Sequence, residues 1–490
     1  MLTADQLAEH ERHIVEAACT GQPIDLRVGD TERDDPAKGA GWDHARTVRA
    51  ELLIELLTAE RIPGSGRSRA IKIHGASITG PLDLEARTLV CPLLLQGCHF
   101  DESVNLDEAT AMTIRLPGCH LHGLSAEQLR TTGNLELNDG FTANGEVNLL
   151  GACIGGQLSL TGAHLTNPDG HALNADRLTV DHRMFCREFA ADGEVSLLGA
   201  HIGGTLEFDG ACLKSTRGWA LLAEGLIVDQ SMFCRAGFTA DGEVRMIDAH
   251  IRGSLEFDWV SLSNPKGLAL HLRDASAARL KFWPVYPPNG GVDFTNARVG
   301  AFDDNLRIAP GSMLLRGFTY ETLENDQISV RGRLRWLKFN RGGYIPQIYD
   351  QLATTYRNTG RSGAARQVGV AKEWRRRSML NPLNWLLYLT VGYGYRTWLA
   401  GIWLAALGLL GTYVFARAGS HHLMHPSSNA PAFHPVAYTL DVLLPIVDLG
   451  QDKAWTPHGW ALYWSWSLIA VGWVLTTAVV AGLTGIFKRD

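Results

Sequence analysis

The 490-residue chain carries eight cysteines yet contains no CxxC pair. Zinc ribbons, thioredoxin-like redox chemistry and CxxCH haem attachment are therefore poorly supported. A GxGxxG turn between a strand and a helix is also missing, the nearest stretch being GSGRSR from Gly64, and there is no P-loop. Neither of the two long apolar runs near the C-terminus contains histidine, so a haem held by two membrane histidines has no ligands. The opening MLTADQLAEHERHIVEAAC lacks the continuous apolar segment of an export signal. No cofactor is assigned. The formal net charge of −6 gives no reason to expect nucleic acid as a partner.

What is present is a repeat. GEVNLLGACIGGQLSLTGAHL from Gly145 returns as GEVSLLGAHIGGTLEFDGACL from Gly193 and GEVRMIDAHIRGSLEFDWVSL from Gly242, 48 and then 49 residues on. Self-similarity at a fixed period means stacked units. Each copy holds a shorter beat of about 11 residues, with Val147, Leu149, Ala152 and Ile154 followed by Leu158, Leu160, Ala163 and Leu165. Alternation with period two places one face of each short strand inside. The beat runs back to Ile71 and forward to Val299, stretched once per long repeat by a polar turn, TNPDG, KSTRG or SNPKG. Two beats per coil give a mainly β fold, a β-solenoid over residues 63–325 whose coils stack at about 4.8 Å.

The cysteines follow this beat. Cys186 and Cys234 recur in matching MFCR tetrads at inward positions, and Cys98 and Cys119 replace the small inward Ala. All read as buried small hydrophobes. Outward Glu207 and Glu256 recur in step, as do Glu194 and Glu243. Such regularity marks a structural ladder, whereas a hydrolase site on a β-helix should break the repeat once.

Residues 1–62 read as a helical cap that covers the first coil, with one helix after Thr3 and a second over residues 44–61. Residues 326–380 contain a helical hairpin, YIPQIYDQLATTYRNTGRSGAARQV, and a basic juxtamembrane segment. From Arg357 to Arg377 there are seven basic residues against one acidic, Glu373. Arg375, Arg376 and Arg377, with Lys488 and Arg489 at the far end, are the candidate membrane-surface residues.

Residues 381–490 read as a membrane region. Residues 398–416 and 461–487 are uncharged and long enough to span about 30 Å of hydrocarbon. The basic flanks lie before the first run and after the second, which predicts two spans with both termini cytoplasmic at the inner membrane. Between them, residues 433–449 are apolar but interrupted by Asp441, Pro445 and Asp448. Span, half-buried segment, span is the order of a pore-loop subunit. The alternative is an amphipathic segment lying on the outer surface. TVGYG at Thr390 to Gly394 matches a potassium filter, but it lacks a spanning helix on each side. His421, His422 and His425 cluster in the outer loop as weak metal candidates.

The stretches WDHARTVRAELL, the repeats, YIPQIYDQLATTYRNTGRSGAARQV, GYGYR and GWVLTTAVVAGLTGIF carry a resemblance. The chain is similar to bacterial pentapeptide-repeat-like β-solenoid proteins with a C-terminal two-helix membrane region, often labelled membrane-associated oxidoreductase. The resemblance implies a solenoid with a membrane tail, and its label implies redox activity, for which the residues supply no cofactor motif. Both lines together predict a membrane-anchored scaffold or sensor whose partners are membrane lipid and a protein or a second copy. An oligomeric pore is the second expectation, and an oxidoreductase the third.

Overall fold

The computed structural model of the chain describes residues 9–60, 69–305, 311–324, 329–376, 398–428 and 430–487. The chain divides into two compact units, residues 1–351 and 352–490.

The first unit is a parallel β-solenoid of about 11 turns. Each turn supplies four short sides, and each side pairs with its counterpart one turn on. Ile71 pairs with Leu93, Ile78 with Phe100, Leu82 with Val104 and Thr88 with Thr110. The sides meet in tight turns closed by one backbone bond, such as Ala152 N to Leu149 O at 3.0 Å and Ala211 N to Phe208 O at 3.1 Å. The third residue of each turn has positive φ, +70° at Gly210, +53° at Glu188 and +58° at Asn296. A type II turn demands that conformation. The residue after it points inward and is buried, Ala211 after Gly210, Phe189 after Glu188 and Ala297 after Asn296.

The 48- and 49-residue spacing has a structural cause. Tight coils alternate with coils that bulge at the polar turn, seen as register shifts between Thr166 and His171 and between Lys214 and Trp219. Successive protrusions touch, because Thr216 Oγ1 donates to Pro168 O at 3.0 Å. One bulged coil plus one tight coil makes one long repeat.

Inward side chains fill the coil completely. Val147, Leu149, Ala152, Leu158, Leu160 and Ala163 are all fully buried. Cys98, Cys119, Cys186 and Cys234 are buried and unbridged. Toward the C-terminal end the core becomes aromatic, with Phe294 stacked on Phe318 at 5.2 Å and edge-on to Phe302 at 6.2 Å.

Both ends are covered. Helix α1 (Glu9–Thr20) and helix α2 (Ala50–Thr58) flank two strands, Ile24–Asp25 and Thr47–Arg49, which pair with Ile73 and His74 and with Ser77 to Thr79. The helix expected over residues 44–61 is thus shorter. β-branched Thr47 and Val48 extend the ladder instead, and the helix starts only at Ala50. Arg49 ties this cap to Glu11 at 2.8 Å, and Arg46 meets Asp34 at 2.9 Å.

At the other end, helix α3 (Val330–Trp336) places Arg333 against Asp304 at 2.6 Å, both almost fully buried. Side-chain amides then satisfy the last strand groups. Asn340 Oδ1 accepts from Leu315 N at 3.1 Å, Gln347 Oε1 accepts from Gly317 N at 2.9 Å, and Gln351 Nε2 donates to Tyr320 O at 2.6 Å. Gln347 and Gln351 lie one turn apart on helix α4 (Pro346–Asn358).

The second unit contains helices α5 (Ser362–Arg376), α6 (Trp398–Ser420), α7 (Pro435–Leu443), α8 (Gln451–Ala454) and α9 (Trp460–Phe487). Phe415, Tyr438, Leu443, Ala461 and Leu468 form one buried cluster, and Ala400 and Leu475 another, so α6 and α9 run side by side in opposite directions. Among the described residues one helix, Leu399–Ser420, is long and apolar enough to cross a membrane. The expectation of two spans is corrected to this single candidate. α9 is longer and uncharged, but its first two turns hold Trp460, Tyr463, Trp464, Ser465, Trp466 and Ser467, whose hydropathy is low.

Candidate functional site

The solenoid surface is a set of paired ladders. On the side that carries the MFCR tetrads, Arg187 lies over the Phe185 ring at 4.9 Å and donates to Glu207 at 2.6 Å one coil on. Arg235 repeats the arrangement over Phe233 at 3.8 Å, paired with Asp209 at 2.8 Å and Glu256 at 3.6 Å. Glu207 and Glu256 are therefore clamped by arginine. Glu194 is buried beside His171, Nδ1 to Oε1 3.3 Å, and Glu243 accepts from His271 at 2.9 Å. Burial pushes the Glu194 carboxyl above its ordinary range, with His171 pulling it back.

One corner departs from these ladders. In two consecutive long repeats the sequence FDGA becomes FDWV, so Trp259 occupies the positive-φ turn position that Gly210 holds in its sister coil. Its φ is +58°, and it is the one tryptophan among the positive-φ residues. An L side chain there costs about 1–2 kcal/mol, a cost the solenoid also carries at other corners, Glu188 and Asn296 among them. Trp259 is 67% exposed, and Tyr286 on the next coil is 70% exposed. The two coils are joined there, since Val285 N donates to Val260 O at 2.9 Å. Tyr286 stands in PVYPPN, which replaces a regular side of the coil. This is the breach in the repeat that the alternation pattern by itself did not reveal. Comparing the copies letter by letter does, because a large exposed tryptophan stands where both sister copies carry glycine, Gly162 and Gly210.

In the second unit, α7 lies between α6 and α9. The Leu443 carbonyl comes so close to Gly472 that a Cβ there would sit 2.0 Å from its oxygen. Gly472 is the residue that lets α7 reach that depth. Asp441 is buried on α7, and its carboxylate accepts from Gln451 N at 2.7 Å and Asp452 N at 3.3 Å, as well as from Leu449 N. It fastens the returning limb to the helix. Pro445 follows the end of α7, and Asp448 is exposed and paired with Lys453, which holds its carboxyl below the usual range. Asp441, Asp448 and Asp452 come within 4.8 Å of one another.

The three loop histidines have separate places. His422 has φ +56° and closes α6 in a Schellman cap, with Leu423 N to Ala418 O at 3.0 Å and His422 N to Gly419 O at 3.1 Å. His425 lies edge-on to His458 at 4.4 Å beside a two-stranded antiparallel sheet of Met424–Pro426 and Trp455–Pro457. His421 opens into a different recess, beside Arg417 and Trp460. Arg375 is exposed on α5. The Arg376 side chain, Arg377, Lys488, Arg489, residues 64–68 of GSGRSR and TVGYG lie outside the described residues.

Comparison with known protein families, with curated proteins and with solved structures finds no match for this chain.

Proposed function

We propose that the chain is a membrane-anchored cytoplasmic β-solenoid that serves as a protein-binding scaffold or sensor at the inner membrane leaflet. The observation that carries this reading is the Trp259 and Tyr286 corner. It offers exposed aromatic surface on a solenoid whose MFCR-bearing side is otherwise a ladder of arginine–carboxylate pairs. Aromatic anchors of this kind dominate binding energy at protein interfaces. The anchoring half of the reading draws support from α6, whose Leu409 is 76% exposed along an otherwise uncharged face. A cytoplasmic solenoid with a basic inner flank at Arg375 completes the proposal, in keeping with the positive-inside rule.

The test uses the full chain in cells, fused to a proximity-labelling enzyme. A defined set of neighbours should be labelled by the native chain and lost in the Trp259→Gly, Tyr286→Ser double variant. An Ile227→Ser control should keep them. Identical neighbours for all three would remove the docking corner from the account.

A second reading, an oligomeric two-helix pore, is favoured by the descent of α7 between two long helices. The Asp441 carboxylate is occupied by backbone donors, so in a pore Asp448 would be the ion-facing group. Ion flux in liposomes that falls in Asp448→Asn but not in a Lys453→Gln control would support it. An oxidoreductase reading rests on the resemblance alone, and a chromophore or nucleotide in purified protein would be its signature.

A further inference from the structure

We propose that the recess between the end of α6 and the start of α9 binds one phosphate-bearing anionic lipid headgroup. The recess has a volume of about 520 Å³ and is lined by Tyr413, Val414, Arg417, His421, Leu423 and Trp460. This inference rests on the membrane reading above.

Arg417 is the one charged residue of α6. Among the described residues its guanidinium makes no ion pair and no side-chain hydrogen bond. A planar fork of donors at the end of an apolar helix matches phosphate oxygens in geometry and in charge. No carboxylate lines the recess.

The backbone adds to the same preference. α9 begins at Trp460, so its first-turn N–H groups and the positive end of its dipole lie at the recess. The competing negative end of α6 is sealed. His421 N takes the Arg417 carbonyl at 3.1 Å, and the two bonds of the Schellman cap take those of Ala418 and Gly419. An anion here meets donors from two directions and few free acceptors.

The surroundings fit a lipid better than a free ion. Tyr413 and Trp460 are both at least half exposed, with the amphipathic rings that favour headgroup depth. Leu409 and Leu410, one to two turns back along α6, are exposed and offer a path for an acyl chain.

The experiment places the full chain in nanodiscs of phosphatidylcholine containing graded phosphatidylglycerol, with lipid retention read by native mass spectrometry. The expected result is one retained phosphatidylglycerol per chain and no comparable retention of phosphatidylcholine. Arg417→Gln should weaken retention at least tenfold, Arg417→Lys should keep part of it, and both should melt at the native temperature. Equal retention of both lipids, or an unaffected Arg417→Gln, overturns the site. Inorganic phosphate that competes at the same concentration as the lipid overturns the lipid assignment. A chain that does not co-elute with the disc refutes the membrane reading and this site with it, whereas co-elution without selectivity refutes the site alone.

Discussion

Trp259 and Gly162 sit at the same kind of corner and should respond to substitution in opposite ways. Gly162→Ala forces an L side chain to φ near +66° and should cost about 1–2 kcal/mol. Trp259→Gly relieves such strain while adding only about 0.5–1 kcal/mol of chain entropy, so its melting temperature should hold or rise. Thermal denaturation of the two variants checks both signs. Glu194 makes a pH prediction. Because burial raises its carboxyl above the unfolded value, the folded state binds the proton more tightly. The charged side chain then costs stability as pH rises through the carboxylate range, and costs nothing below it. Glu194→Gln should therefore raise the melting temperature at about pH 8 by about 2 °C, the scale of ~1 kcal/mol, and leave it unchanged at about pH 4. Inward positions were legible in the sequence because a period-two pattern that repeats in every coil cannot be satisfied by another register. Positive φ was not, since Glu188, Arg177 and Asn296 adopt it without any glycine to mark it.

At the scale of elements, the two caps decide whether the solenoid ends are tolerable. Asp304→Asn leaves the Arg333 guanidinium buried without its counter-charge and should cost about 3–5 kcal/mol, measured by urea denaturation of the full chain. Phe294→Ala, in the aromatic end of the core, should cost a similar ~3–5 kcal/mol by leaving a cavity. The caps were only partly readable. An amphipathic stripe from Val48 to Leu57 looks helical throughout, but residues 47 to 49 have a strand edge to complete, and backbone pairing with Ser77 to Thr79 outweighs helical propensity there. The amide bonds of Gln347 and Gln351 to the last coil leave no sequence pattern, because any helix can carry two glutamines one turn apart. Asp441 shows the same limit. As letters, an aspartate in an apolar segment suggests an ion path, and only the returning backbone reveals it as the receptor for backbone N–H groups of residues 449, 451 and 452.

At the scale of the whole molecule, a long regular solenoid surface and an apolar helical unit are carried on one chain. The repeat makes the surface regular, one corner breaks it, and α6 supplies a hydrocarbon-compatible face. Function was less legible than fold for a physical reason. Stacked coils state their architecture in every repeat, whereas the proposed docking corner and headgroup site are each written once. The most direct test of the anchored-solenoid account is alkaline carbonate extraction of membranes from cells that express the full chain. The account predicts that the protein stays in the membrane pellet and leaves only with detergent. Release into the carbonate supernatant, with the chain intact, would contradict it.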